Sequence, residues 1–351
     1  MRYTFSYSHS TSIALECTLF KPPDQLILKD CNLPFGNTLV PWQPTASIFI
    51  TMLAATRGLT VIDVRDSSDF LNKGRLPWSY NIPLKELSDR SFELPPKHIG
   101  FFVVTDIALL GETKEWFTAR RLGSFCLEGI FVFQNIKSLP VVFGTLKENV
   151  LSAIPYEPAP LLSEEIEHLK SVILPDSLII DVGSGKGRDG IFLGHHFPLN
   201  NIICFDNLPG QIETTARFAE RNGLKNVFPI LANFKATGDL VHHVEVAMAE
   251  LGFPSNATVS FILFSRFLKR ELFDDAAELL QRHRNDGNTK GTIGVHSFLM
   301  SNVKPKKVKD KVHPGELATV FREKYGMSVV RDNTHNSLTD GRELSMFLAS
   351  T

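Results

Sequence analysis

The feature that most constrains this chain is the stretch LIIDVGSGKGR at positions 178–188, in which an apolar run gives way to three spaced glycines. An apolar β-branched run followed by Gly183, Gly185 and Gly187 predicts a strand, a tight turn and the start of a helix. Glycines let the backbone take positive φ and approach a ligand closely, and the N–H groups of the helix add a positive pole. The spacing matches neither G-x-G-x-x-G nor a P-loop, so it predicts a nucleotide pocket without a phosphate cradle. The alternative is an ordinary strand-to-helix turn with spare glycines.

Strands and helices alternate from this turn to the end of the chain. Repeated βα units predict a mostly parallel sheet covered by helices on both faces. No long helix separates the last two strands, which predicts an antiparallel hairpin at one edge of the sheet. We expect strands at 178–182, 201–205, 227–231, 258–264, 292–298, 327–332 and 344–349, and helices at 189–197, 210–222, 239–251, 266–283 and 316–325.

Polar residues at the ends of these strands are candidates for binding a nucleoside. Asp206 ends the second strand, about 20 residues after the glycine turn, where a carboxylate can accept hydrogen bonds from a ribose diol. An aspartate that serves as a helix N-cap or as a turn residue is the competing interpretation. Asn233 and Phe234 follow the third strand and suit the polar edge and the flat face of adenine. The full set of predicted cofactor-binding residues is Asp181, Gly183, Ser184, Gly185, Gly187, Asp206, Asn207, Asn233 and Phe234.

Asp181 followed by G-x-G-x-G resembles motif I of the class I S-adenosylmethionine-dependent methyltransferases. The segments CFDNLPGQIETTARFAERNG (204–223), FSRFLKRELF (264–273), IGVHSF (293–298) and KPKKVKDKVHPGEL (304–317) are similar to small methyltransferases related to the tellurite-resistance enzymes. This resemblance implies an S-adenosylmethionine cofactor and a Rossmann-like, seven-stranded α/β sheet.

An earlier part of the chain resembles a rhodanese-like domain. The segment VIDVRDSSDF, followed by KGRLPWSYNIP at 73–83, looks like the opening of that fold, and the resemblance covers about residues 45–135. A rhodanese uses a nucleophilic cysteine at the end of the next strand. Here that position holds Thr105 or Asp106, and Cys126 is better explained as a core residue. The resemblance therefore implies an α/β rhodanese fold without sulfur transfer, used for scaffolding or docking.

These patterns predict two α/β domains. We expect an N-terminal extension at 1–43, a rhodanese-like domain at 44–137 that begins with a helix at 45–57, a proline-containing linker at 138–162, and a methyltransferase domain at 163–351. Ser163 is the predicted N-cap of a helix that ends at Val172. The segment RSFELPP, at 90–96, resembles one in bacterial proteins that join the same two domains.

Two residues are candidates on the substrate side. Arg266, predicted at a helix start, could hold an anionic substrate or equally form a surface ion pair. His296, on the fifth strand, could act as a base, although a lone histidine on an apolar strand is more often a hydrogen-bonded core residue. The segment 264–267 reads FSRF and not [ND]-P-P-[YF], which disfavours methylation of an adenine amine.

The remaining features limit partners and location. The net charge is −1 and 43% of residues are hydrophobic, and the four cysteines form no C-x-x-C pair, so we predict a cytoplasmic protein without a metal site. No apolar run reaches the roughly 18 residues of a membrane span. A lysine-rich loop could attract RNA, although a solvated loop is the commoner case. Its lysines are Lys304, Lys306, Lys307, Lys309 and Lys311.

Three hypotheses follow. The first is a methyltransferase for a small, soft or anionic acceptor; the second is an RNA-modifying methyltransferase; the third is a non-catalytic protein that binds S-adenosylmethionine for regulation. The sequence defines neither the acceptor atom nor the oligomeric state.

Overall fold

A computed structural model describes residues 60–75, 79–118, 127–132, 154–282, 291–302, 304–336 and 342–351. The chain divides into two compact units, each made of two stretches. The first unit is Met1–Leu87 with Ile99–Gly144, and the second is Ser88–His98 with Thr145–Thr351. The predicted extension at 1–43, the predicted helix at 45–57, Cys126 and most of the predicted linker lie outside the described residues.

The first unit contains a parallel four-stranded sheet with the order β2-β1-β3-β4. The elements from β1 to β4 are β1 (Thr60–Asp63), α1 (Ser67–Asn72), β2 (Ser79–Asn81), α2 (Leu87–Arg90), β3 (Phe101–Thr105), α3 (Leu110–Thr118) and β4 (Leu127–Val132).

A buried ion pair stabilises the end of β1. Arg65 donates from Nε to Asp63 Oδ1 at 2.9 Å and from Nη2 to Oδ2 at 2.5 Å, and the same Nη2 donates to the Gly74 carbonyl at 3.0 Å. Burial raises the pKa of Asp63, and the hydrogen bonds from Arg65 oppose that shift. The pair therefore joins the end of β1 to Gly74, which follows α1.

The second unit is a mixed sheet with the order β11-β12-β9-β8-β5-β6-β7, and the two-residue β10 lies beside β9. The five strands from β5 to β9 are parallel, whereas β12 runs antiparallel to both β9 and β11. The predicted antiparallel finish is confirmed. The elements are α4 (Pro160–Val172), β5 (Leu178–Val182), α5 (Arg188–His196), β6 (Asn201–Asp206), α6 (Pro209–Arg221), β7 (Val227–Leu231), α7 (Asp239–Glu250), β8 (Val259–Ser265), α8 (Phe273–Gln281), β9 (Thr292–Leu299), β10 (Lys311–Val312), α9 (Glu316–Glu323), β11 (Ser328–Asn336) and β12 (Glu343–Ser350).

Two predicted helix starts are wrong. Helix α4 begins at Pro160 after the N-cap Ala159, inside the predicted linker, and Ser163 Oγ donates to the Pro160 carbonyl within the first turn. Proline suits this position because its fixed φ matches a helix and it has no N–H to satisfy. The helix predicted from Arg266 begins only at Phe273, after a short 3₁₀ turn.

Burial on both faces of the sheet explains why its strands are apolar runs. Every residue of β5 is buried, and the side chains of β6 and β8 are buried except near their ends. Parallel strands of this kind gather their carboxyl ends at one edge, where open α/β sheets bind ligands. None of the described helices is long and apolar enough to cross a membrane.

Candidate functional site at the carboxyl ends of β5, β6 and β8

The glycine turn after β5 is hydrogen-bonded to β6. The backbone N–H groups of Gly183 and Ser184 both donate to the Phe205 carbonyl at 2.9 Å. All three glycines of the turn have positive φ, between 56° and 79°. The predicted strand, tight turn and helix start are confirmed.

Two of these glycines are required by close packing, and the third faces open space. A Cβ at Gly183 would lie 2.5 Å from the Phe267 ring, and a Cβ at Gly187 would lie 2.4 Å from Thr215 Cγ2. A Cβ at Gly185 would meet no heavy atom within 4 Å. Gly185 is therefore the point at which a ligand can reach the backbone of the turn.

The Asp206 carboxylate is directed at the turn. Its Oδ2 accepts the Gly185 N–H at 2.9 Å, and its Oδ1 accepts the Leu208 N–H at 2.9 Å. The N-cap of α6 is Leu208, so Asp206 does not cap that helix, but the bond from the N–H two residues on is that of a turn residue. Each carboxylate oxygen has a second lone-pair site, so both remain able to accept a hydrogen bond from a ligand.

The residues predicted to bind the adenine follow Asp206 in the chain. Asn207 and Asn233 are exposed, and Phe234 is half-buried with its ring edge-to-face against Phe205, at a centroid distance of 5.7 Å.

Sequence reasoning missed two apolar side chains beside these residues. Leu208 is 54% exposed and Leu231 is 55% exposed, and Leu231 pairs with Asp206 in the ladder between β6 and β7. The available signal was that each leucine lies at a strand end where a polar residue is usual.

A cleft of about 450 Å³ opens over the turn. Of the predicted site residues, it brings together Gly183, Ser184, Gly185 and Arg266, whereas Asp206, Asn233, Phe234 and His296 are not part of its lining. The full lining is Phe92, Ala159, Gly183, Ser184, Gly185, Lys186, Arg188, Asp189, Gln211, Ser265 and Arg266.

Two buried polar atoms of the lining lack hydrogen-bond partners among the described residues. They are Ser184 Oγ and Gln211 Oε1. Because buried polar groups are nearly always paired, these atoms mark places where polar groups of a ligand fit.

Cationic side chains dominate the lining. The lining contains one carboxylate, Asp189, whose Oδ1 already accepts a hydrogen bond from the Ala159 N–H at 2.7 Å. It contains three cationic side chains, those of Lys186, Arg188 and Arg266. This balance of charge favours an anionic group in the cleft.

Arg266 does not start a helix, contrary to prediction. It follows β8 directly, has φ 55°, and donates its backbone N–H to the His296 carbonyl at 2.6 Å. A non-glycine residue held at positive φ stores strain, and such residues concentrate at functional sites. This turn presents Arg266 to the cleft beside Ser265.

His296 is fully buried on β9, next to Ser265 in the ladder with β8. Neither ring nitrogen has a hydrogen-bond partner among the described residues, so the interpretation as a hydrogen-bonded core histidine is wrong. Burial, and then the charges of Arg266 and His335, lowers the pKa of His296 to about 3. The imidazole is therefore neutral at physiological pH.

Asp181 lies beneath the turn and not on the cleft surface. It is 1% exposed, and a Cβ at Gly190 would lie 3.5 Å from Asp181 Oδ2. Burial, followed by the charges of Asp189 and Asp206, raises the pKa of Asp181 well above its usual value. Asp181 is therefore a buried carboxyl group near the end of β5, outside the lining of the cleft.

The lysine-rich loop is divided by burial. Lys304, Lys306, Lys307 and Lys309 are exposed, but Lys311 is buried and its ammonium donates to the Asn302 carbonyl. Lys311 is therefore unavailable to the RNA that the sequence suggested, because its charge is used inside the fold. No group of three potential metal ligands occurs among the described residues.

Comparisons with known proteins add distant similarities. No protein-family model matches the chain. The uncharacterized protein UNK4.09 of Schizosaccharomyces pombe (strain 972) is 24% identical in a 343-residue alignment that covers 84% of this chain and 95% of that protein. A SAM-dependent methyltransferase from Aquifex aeolicus is 15% identical, with 54% of this chain and 93% of that chain covered and a TM-score of 0.34. TehB from Haemophilus influenzae is 17% identical, with 53% and 61% covered and a TM-score of 0.36. With TM-scores below 0.5, the chemistry of the cleft rests on its own residues.

Proposed function

We propose that the second unit is a methyltransferase that binds S-adenosylmethionine and methylates a small, soft or anionic acceptor. The observation that carries this proposal is the open face of Gly185 beside the Asp206 carboxylate, at the carboxyl ends of β5 and β6. A glycine turn followed by a carboxylate on the next strand is suited to an adenosyl group. The antiparallel finish of the sheet supports a methyltransferase over a dehydrogenase.

Several described residues fit the parts of this cofactor. The Asp206 carboxylate can accept hydrogen bonds from ribose hydroxyls, and Leu208 and Leu231 offer apolar surface for the adenine. Ser184 Oγ and Gln211 Oε1 need polar partners, which the amino acid end of the cofactor has. In this proposal Asn207, Asn233 and Phe234 complete the adenine side.

Bound S-adenosylmethionine supplies a methyl group on a sulfonium that is already activated for transfer. The chain then has to bring an electron-rich atom in line with that methyl. Lys186, Arg188 and Arg266 are suited to hold an anionic acceptor there. An acceptor whose attacking atom is already deprotonated when it binds has no proton to lose there, so its methylation needs no base.

This reasoning changes the proposed part of His296. A general base works best when its pKa is near the working pH, and the pKa of His296 is about 3. We therefore propose that His296 supports Arg266, whose backbone N–H it accepts, and does not remove a proton.

Calorimetric titration of the full chain with S-adenosylmethionine tests the proposal. We expect binding, and we expect Asp206→Asn to weaken it by about tenfold or more because a charge-assisted hydrogen bond is lost. Asp332→Asn, an exposed change on the far strand β11, is the matched control and should bind as the wild type does. Absence of binding by the wild type, or equal binding by Asp206→Asn, would contradict the assignment.

For the first unit we propose a rhodanese-like fold that has no sulfur transfer and serves as a scaffold, and that leaves out Ser88–His98 of the range 44–137 expected from the sequence. Its parallel sheet and the buried pair of Asp63 and Arg65 support this proposal. Thr105, where a rhodanese would carry its cysteine, is buried, and its hydroxyl lies 3.0 Å from that of Thr113. A hydroxyl cannot carry a sulfane sulfur, because the persulfide forms on a thiolate.

The lysine-rich loop favours a second candidate, an RNA acceptor. Arg270 holds this loop by donating to the Lys309 carbonyl at 2.9 Å and to the Lys311 carbonyl at 2.7 Å, and by pairing with Glu316 at 2.6 Å. Four exposed lysines are thus presented on a fixed loop. Retention of RNA that falls steeply with salt, and that is lost when Lys306 and Lys307 become glutamate, would favour this candidate.

Release of S-adenosylhomocysteine separates the enzyme hypotheses from the non-catalytic one. Purified protein is incubated with S-adenosylmethionine and with pools of small molecules or of RNA. Tight binding of S-adenosylmethionine with no release of S-adenosylhomocysteine in any pool would favour the non-catalytic, regulatory hypothesis.

A further inference from the structure

The segment Ser88–His98, here called the wall segment, is part of the second unit although residues of the first unit flank it in the sequence. Its Glu93 is fully buried and lies between two arginines. Glu93 accepts hydrogen bonds from Arg90 Nε and Nη2 at 2.8 and 2.7 Å, and from Arg221 Nη2, at the end of α6, at 2.6 Å. The hydrogen bond from Arg221 joins the wall segment to α6.

The residue before Glu93 lines the cleft. Phe92 packs edge-to-face against Phe218 of α6 at a centroid distance of 5.4 Å. The Lys186 ammonium, on the glycine turn, lies 4.6 Å from the centroid of the Phe92 ring. Phe92 therefore contacts both α6 and the turn from one side of the cleft.

We propose that the wall segment forms one side of the ligand cleft, with Phe92 in contact with the ligand and with Glu93 and Arg221 as positioning residues that act through Phe92. This inference rests on the proposed function for the identity of the ligand, S-adenosylmethionine or its demethylated product.

The energetics favour a fixed wall. Without Arg221, Glu93 would keep only its pair with Arg90 in the same segment, so the ion pair that joins the wall segment to α6 would be lost. The Phe92 ring attracts the Lys186 ammonium by a cation–π interaction, which fixes a side chain that otherwise moves freely. Together these contacts hold a cation and an aromatic face at the cleft.

The test compares two arginines of α6. Arg221→Gln breaks the pair with the buried Glu93, whereas Arg217→Gln breaks an exposed pair with Glu213 on the same helix. In the full chain, hydrogen exchange of peptides covering 88–98 should become about tenfold faster or more in Arg221→Gln and stay unchanged in Arg217→Gln. Equal exchange in the two variants would overturn the positioning part of the proposal.

The Phe92 contact has its own test. Phe92→Leu keeps apolar volume but removes the aromatic face, so acetylation of Lys186 by an amine-reactive reagent should rise several-fold, while that of the exposed Lys225 stays constant. Affinity for S-adenosylhomocysteine, measured by calorimetry, should fall about fivefold in Phe92→Leu and in Arg221→Gln and should not change in Arg217→Gln. Phe92→Tyr keeps the aromatic ring, so its Lys186 acetylation and its affinity for S-adenosylhomocysteine should both match those of the wild type.

The outcomes separate this inference from the proposed function. If the wild type does not bind S-adenosylhomocysteine, the proposed function has failed, and Lys186 acetylation and hydrogen exchange still decide whether the wall exists. If the wild type and Phe92→Leu bind S-adenosylhomocysteine equally well, the wall segment stabilises the fold without contacting the ligand, and the inference is wrong.

Discussion

Among single residues, Gly185 offers the sharpest test of the cleft. Replacing it with valine places a β-branched side chain in the open space that we assign to the ligand, at φ 56°. We expect cofactor affinity to fall by about 100-fold or more, which corresponds to about 2.7 kcal/mol of binding free energy. Calorimetry with S-adenosylmethionine measures the loss.

Gly252→Val is the matched control for this change. Gly252 has φ 72° and open space around it, but it lies after α7, outside the cleft. Both variants carry the backbone strain of valine at positive φ, about 1–3 kcal/mol. If Gly185→Val bound the cofactor as Gly252→Val does, the turn would not be the binding site.

His296 predicts a pH dependence of stability. Its pKa is about 3 in the folded chain and near 6.5 when unfolded, so the unfolded state binds more protons over the interval between these values. The free energy of unfolding should therefore fall as the pH falls below 6.5, by about 2 kcal/mol between pH 7 and pH 5 from this residue.

Urea unfolding followed by circular dichroism at the two pH values measures this effect. His296→Leu should remove that part of the pH dependence, whereas the exposed His242→Gln should retain it. A His296→Leu variant with the same loss of stability as the wild type would mean that the histidine is protonated in the fold.

Single residues also show where sequence reasoning ended. The positive φ of Gly183 and Gly185 and the place of Asp206 at the end of β6 could be predicted because backbone conformation and strand-end position are local properties. The positive φ of Arg266, the burial of Lys311 and the place of Phe92 could not be. Each depends on a contact with a residue distant in the sequence: His296, Asn302 and Lys186 respectively.

Among the elements, the packing of α5 on β6 depends on one glycine. A Cβ at Gly190 would lie 2.2 Å from Cys204 Sγ. Alanine is the better helix former, by about 0.5–1 kcal/mol, but the clash should outweigh that gain and lower the free energy of unfolding by about 1–3 kcal/mol. Denaturant unfolding measures the change.

A double-mutant cycle identifies the cause. Cys204→Ala removes the sulfur that the new methyl meets, so Gly190→Ala should cost much less in that background. Gly210→Ala, in α6 with open space around the position, should stabilise the chain slightly. Equal costs of Gly190→Ala in both backgrounds would exclude the clash with Cys204.

The elements of the second unit could be predicted because their periodicity is strong. Strands β5 and β7 have the predicted bounds, and the terminal hairpin follows from two strands without an intervening helix. Helix starts were less predictable. Proline at the first position of α4 competed with the serine signal, and the turn after β8 is held by β9 and not by local sequence.

At the scale of the whole molecule, we expect methyl transfer by the second unit and no sulfur transfer by the first. The full chain should release no thiocyanate from thiosulfate and cyanide, because Thr105 has a hydroxyl where a thiol is needed and Asp106 would repel an anionic donor. A colorimetric thiocyanate assay, with an active rhodanese as the positive control, measures this. A clear signal would contradict the proposal of an inactive first unit.

The division of the chain has a consequence for the gene that encodes it. Each unit is assembled from two stretches, because Ser88–His98 belongs with Thr145–Thr351. A recombination event that moved the later stretch into another protein as one block would leave behind Phe92 and Glu93. The transplanted sheet would arrive with Arg221 lacking its acidic partner and one side of its cleft missing, so shuffling must transfer the two units together.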